Sequence, residues 1–221
     1  MSTLRFPTRP SDETCVEFYE LKCIMPSTNT AAKFEHVIAE ARFYSNEFKK
    51  LQDVTVPHFH ELFMGEMMDE EDTACLVLDY IRESLSRCLW TMNAEFRHAA
   101  LKTLRLIHHA GVQHNDLVER NIIVDENYRP FIIDFEIAGD INDKCGQVIP
   151  VIFNAKEPTC EEFGCEEMHD SCLIADVWQL RHVQFMHRYV PAEWATTPDE
   201  LAMRAPQVLA MKKPTHQHWT E

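Results

Sequence analysis

Glycine is scarce in this chain. There are five in 221 residues, at 65, 111, 139, 146 and 164, and none precedes Lys22, so no Gly-rich loop can bring backbone amides against phosphates ahead of that lysine. Basic residues are also in deficit, 21 Lys and Arg against 36 Asp and Glu, for a formal charge of -15. A field of that sign repels phosphate surfaces and argues against a nucleic-acid or anionic-membrane partner. No apolar run approaches the roughly 18 residues needed to cross a bilayer, and the opening MSTLRFPTRPSDET has no signal-like apolar centre. A cytoplasmic protein is expected. None of the eight cysteines forms a C-x2-C pair, and several sit in apolar runs such as ACLVLDYI, which suits reduced, structural thiols. Cys160, Cys165, His169 and Cys172 bunch closely enough to be weighed as a zinc site, with plain thiols near a loop the favoured reading. Repeats and low-complexity segments are lacking too.

What is present suits one domain or two small lobes sharing a cleft, with 45% hydrophobic and 26% charged residues. VEFYELKCIM (16–25) alternates as a strand, and STNT follows as a loop and helix cap. From Ala31 to Leu51 the apolar residues keep a helical period. TVPHFHELFMG and TACLVLDYI read as two strands separated by the acidic EMMDEED, with His58 and His60 on the strand surface. AEFRHAALKTLRLIHHAG is a helix stopped at Gly111. NIIV and FIID are short strands joined by the turn DENYRP. An irregular region over about 139–170 is followed by a helix over SCLIADVWQLRHVQFMHRY and a last helix capped at Thr197-Pro198-Asp199-Glu200.

Within GVQHNDLVERNIIVDENYRPFIIDFEIAG (111–139), Asp116, Asn121 and Asp134 stand where core strands have no use for them. A loop followed by a hairpin can bring all three to one cleft edge, a set of hard oxygen donors that suits magnesium with phosphate oxygens. Here the sequence resembles the protein-kinase-like superfamily. His114-Asn115-Asp116-Leu117 with Asn121 matches the catalytic loop H-x-D-L-x-x-x-N, and Asp134-Phe135 matches the start of D-F-G. Lys22 ends YELK as the lysine ends V-A-I-K, and Glu40 stands where its partner in the following helix belongs. LVLDYI is similar to the last small-lobe strand and hinge, and Asp176-Val177-Trp178 to the D-V-W of a large-lobe helix.

The resemblance implies an α+β, bilobal kinase-like fold, with a truncated small β-rich lobe over 1–81 and a mostly helical large lobe over 82–221. It implies ATP and magnesium as cofactors and a protein or small-molecule hydroxyl as acceptor. Lys22 would neutralise the phosphates and Glu40 would hold it by an ion pair. Leu78 would be the gatekeeper, with Asp79 to Ile81 offering backbone groups to adenine. Asn121 and Asp134 would hold magnesium, Asp116 would receive the acceptor's proton, Arg120 would steady Asp116 or place the acceptor, and His114 would brace the loop. With only 21 residues before Lys22, the first two strands and the phosphate lid are expected to be missing or shortened, which implies weak ATP affinity, roughly 0.1–1 mM or worse. Glu136 replaces the D-F-G glycine, Asn115 replaces the usual arginine, and no A-P-E follows. Those spellings are closer to choline/ethanolamine kinases, aminoglycoside phosphotransferases and short fungal kinase-like proteins. Transfer to protein Ser/Thr leads, beside an inactive pseudokinase scaffold and a small-molecule kinase.

Overall fold

The structure is a computed structural model, which describes residues 2–4, 19–24, 30–66, 72–141, 145–146 and 149–210; the side chains of 2–4, 19–24, 30–34, 66, 72, 73, 208 and 210 lie outside the described set. The described residues form a mixed α+β protein with small antiparallel sheets and five α-helices. They divide into two units. One runs to Pro150 and includes Cys160–Ala175; the other comprises Val151–Thr159 and the residues from Asp176 on. Among the described residues, no helix is long and apolar enough to cross a membrane.

The first unit begins with a four-stranded antiparallel sheet in the order β1 (Ser2–Leu4), β2 (Tyr19–Ile24), β4 (Asp72–Asp79), β3 (Phe59–Glu66). Among the described residues, one three-residue strand precedes β2, and it pairs Thr3 with Lys22. Residues 16–18 and 25 of the expected first strand, most of the STNT cap and the bulk of the acidic loop lie outside the described residues. Helix α1 (Thr30–Ser45) packs on β3 and β4. The helical period runs on to Leu51, but the helix ends at Ser45, where Phe48 N–H reaches back to the Phe43 carbonyl at 2.9 Å and the chain continues in turns. That wide turn keeps Phe48 wholly buried, its ring 6.0 Å from Phe43 and 5.7 Å from Tyr44. The aromatic pattern thus outlasts the helix because the core, and not the helix, demands it.

Helix α2 (Ala94–His109) is capped by Asn93, whose side chain accepts the Phe96 N–H, and buries Phe96, Leu101, Leu104 and Ile107 along one stripe. It stops as expected at Gly111, whose φ of +89° is the left-handed conformation that glycine adopts without a Cβ penalty. Strand β5 (Val112–Gln113) pairs with β8 (Gly139–Asp140). Between them lies the hairpin of β6 (Ile122–Val124) and β7 (Pro130–Ile132), with Ile122 opposite Ile132.

Asp125 closes this hairpin. Its Oδ1 accepts the amides of Asn127 at 2.9 Å and Arg129 at 2.7 Å, and its Oδ2 accepts Arg129 Nε at 2.7 Å. Burial opposes the charge, but these three donors outweigh it and hold the carboxyl below its ordinary value. A depressed carboxyl stabilises the fold above its unfolded pKa of about 4, and that contribution is lost as pH falls through the lower folded value. Asp125→Ala is expected to cost about 1–2 kcal/mol. In urea titrations from pH 7 down to pH 2.5, the gap from wild type should close below about pH 4; a gap independent of pH would contradict the charged cap.

The region expected to be irregular holds two helices, α3 (Cys160–Phe163) and α4 (Glu166–Ile174). The long helix expected over 171–189 is not formed. Helix α4 ends at Ile174, Asp176 takes a left-handed φ of 49°, and the second unit carries a hairpin, β9 (His182–Phe185) and β10 (Arg188–Pro191). Its two-residue loop, Met186-His187, has positive φ at both positions, the geometry that matches strand twist. Helix α5 (Pro198–Ala210) starts where expected, with the Glu200 amide on the Thr197 hydroxyl at 3.2 Å.

Candidate functional site

The site lies in the first unit, where the loop from His114 to Asn121 meets the end of β7. His114 is fully buried. Its Nδ1 accepts the Asp116 amide at 3.2 Å, so the proton sits on Nε2, which donates to the Ile133 carbonyl at 3.0 Å. Burial holds its pKa below the ordinary imidazole value despite the Ile133 carbonyl and the charges of Glu167, Asp134 and Asp116 around it. One neutral ring therefore ties the loop that carries Asp116 to the strand end before Asp134. That is the bracing contact expected of it.

Asp116 Oδ2 receives two donors, Arg120 Nη2 at 2.5 Å and Asn121 Nδ2 at 3.1 Å. Asn121 Nδ2 also reaches the Asp116 carbonyl at 2.9 Å, and Asn121 is 2% exposed. Asp116 keeps its side chain 32% exposed, and no described residue engages Oδ1. Arg120 is paired with Asp116.

Asp134 is half-buried and left-handed, φ 70°. A non-glycine residue is held there only when its surroundings determine the backbone. Phe135 supplies that constraint. It is fully buried, 4.5 Å from the Phe48 ring, 5.8 Å from Tyr44 and 4.9 Å from His114. Its amide donates to Glu40 Oε1 at 3.2 Å. Glu40, 1% exposed on α1, therefore joins the helix to the residue after Asp134. Lys22 pairs with Leu76 in the sheet; its side chain, and with it the expected Lys22–Glu40 ion pair, lies outside the described residues. Glu136 faces His36 at 3.7 Å, and Arg42 holds Asp140 through Nη2 at 3.1 and 3.2 Å.

Leu78 is buried in β4, and Asp79 and Ile81 are half-buried. The Asp79 amide already donates to the His58 carbonyl at 2.9 Å, and its carboxylate meets His60 Nε2 at 2.5 Å. That amide is not on offer to a ligand.

Glu167 was not singled out by the sequence, yet it is the hub beneath the loop. Its Oε2 meets His108 Nε2 at 2.6 Å and accepts the His114 amide at 3.1 Å, and its Oε1 accepts the Asn115 amide at 2.6 Å. Asn115, φ 64°, also donates Nδ2 to the Ile137 carbonyl at 3.1 Å. Nothing in CEEFGCEEMHD marks Glu167 among its neighbouring acids. Cys160, Cys165, His169 and Cys172, weighed as a zinc site with plain thiols favoured, are not gathered as one ligand group among the described residues, where Cys165 meets His108 and Cys145. Burial opposes charge on His108, but hydrogen bonds to Cys165, Glu167 and Cys145 raise it to about 10. Burial would raise Cys165 likewise, and the His108 hydrogen bond outweighs it and draws the thiol below its usual range.

No family model matches the chain, and no curated protein matches it in sequence.

Proposed function

We propose that the chain is a kinase-like phosphotransferase that binds ATP with magnesium and passes the γ-phosphate to a hydroxyl, protein Ser/Thr first among acceptors. In this reading, 1–81 is a reduced small lobe and 82–221 a large lobe. The observation that carries it is the placement of Asp116, whose amide bonds His114 and whose carbonyl accepts Asn121, and of Asp134 beside the buried His114, with Glu40 bonded to the amide next to Asp134. The donor set suits magnesium: the carboxylate of Asp134, half-buried on a left-handed backbone, and the carboxamide oxygen of Asn121, whose nitrogen is bonded to Asp116. Bound magnesium would neutralise charge on the phosphates. Asp116 Oδ1 accepts the proton of the acceptor hydroxyl as its oxygen bonds to the γ-phosphorus and the bond to the β-phosphate oxygen breaks. Arg120 and Asn121 hold the other carboxylate oxygen, so the base is aimed before the acceptor arrives.

The scaffold reading has its own support in Arg120, whose guanidinium pairs with Asp116 and opposes proton uptake by its carboxylate. A thermal-shift titration with MgATP tests the site. Asp134→Asn, Asn121→Ala and Lys22→Met are each expected to lose most of the wild-type stabilisation, while their melting temperatures without ligand stay within a few degrees of wild type. Equal stabilisation of all three would remove the metal and phosphate assignment. Wild-type binding without transfer to proteins, choline, ethanolamine or aminoglycosides would favour the scaffold.

A further inference from the structure

Beneath the catalytic-type loop, three soft donors from distant parts of the chain point at one place. His108 Nδ1, in the last turn of α2, lies 3.4 Å from Cys145 Sγ and 3.6 Å from Cys165 Sγ, and the three ligand atoms all lie within 4.8 Å of one another. One imidazole N–H can donate well to only one sulfur. Two sulfurs converging on a single nitrogen are accounted for by a shared cation. Tetrahedral zinc with Zn–N near 2.0–2.1 Å and Zn–S near 2.3 Å separates nitrogen from sulfur by about 3.6 Å, which is the spacing found. The far side of the ring is prepared as well. His108 Nε2 is held at 2.6 Å by Glu167, the carboxylate–histidine arrangement that orients a ligating imidazole and leaves its other nitrogen for metal. His108 is buried and the two cysteines half-buried. Two sulfurs and an imidazole select zinc over magnesium or calcium.

We propose that His108, Cys145 and Cys165 bind a zinc ion, with water as the fourth ligand, and that this ion clips the segment following the Asp134 turn to helices α2 and α4. Zinc takes the place of the proton between Nδ1 and the thiols, releasing protons as it binds. Among the described residues no fourth side chain joins the group, so the fourth position is left to water. The clip does not depend on phosphoryl transfer. Through His108 and Glu167 it does reach the amides of His114 and Asn115, so the ion and the loop share one support.

Metal analysis of the full chain, purified under a non-chelating reductant, tests the proposal. About one zinc per chain is expected, falling at least about tenfold in Cys145→Ser and in Cys165→Ser, while Cys88→Ser, which alters an exposed thiol outside the group, keeps its metal. Because a serine variant can fail to fold, the wild type is also stripped and reloaded with cobalt, which should give the thiolate charge-transfer absorption of a tetrahedral site. A wild-type chain that carries no zinc and gives no such band with cobalt overturns the proposal. So does a Cys145–Cys165 disulfide in the chain as isolated. Rapid alkylation of Cys165 alone in that chain would also overturn it, assigning the group to a thiolate–imidazolium nucleophile.

Discussion

Asp116→Ala is expected to slow phosphoryl transfer by at least about 100-fold while leaving MgATP affinity within about threefold of wild type. Two donors converge on Asp116 Oδ2, and Oδ1 is engaged by no described residue, so the carboxylate is held in one orientation with one oxygen left for the acceptor of the proposed reaction. Removing it deletes the proposed proton acceptor and leaves the Glu40–Phe135 link in place. Loss should therefore fall on kcat, because an interaction that matters only as the proton moves does not contribute to ground-state binding. Asp116→Asn separates proton acceptance from geometry, since its carboxamide can still accept from Arg120 and Asn121. Rates near wild type in Asp116→Asn would show that Asp116 only positions the loop, and lost nucleotide binding in Asp116→Ala would contradict its place on the acceptor side.

The largest effect on stability is expected at Glu167. Its carboxylate serves His108 and the amides of His114 and Asn115 with its side chain only 9% exposed. Glu167→Ala removes one partner of a buried ion pair and strands two amides beneath the loop, at a cost of about 3–5 kcal/mol. At roughly 2–4 °C per kcal/mol for a chain of this size, melting should drop by about 6–20 °C. Glu167→Gln retains one acceptor oxygen and should recover part of the loss. Calorimetry of the two variants decides: a change under about 1 kcal/mol in Glu167→Ala would mean that water replaces the carboxylate and that the hub carries little load.

The sequence by itself determined whatever depends on near neighbours in the chain. The period of 94–109 and the glycine at 111 set α2, because a helix stripe and a left-handed stop are both local. Thr197 and Glu200 set the start of α5 in the same way. Asp116 and Asn121, five apart, and the hairpin from Ile122 to Ile132 were legible as one loop and turn.

Tertiary structure decided the rest. The hairpin over 182–191 was hidden because its two-residue loop is Met186-His187, with no glycine or asparagine to announce positive φ, while its apolar spacing also fits a helix. The resemblance marks Glu40 as a partner for Lys22, but its bond to the Phe135 amide, 95 residues away, is set only by folding. Glu167, His108 and Cys145 carry no local signal, since a hub or a ligand set is defined by the directions in which side chains meet. Those directions exist only once α2, α4 and the segment around Cys145 have packed, because packing is where a buried donor without a partner becomes costly.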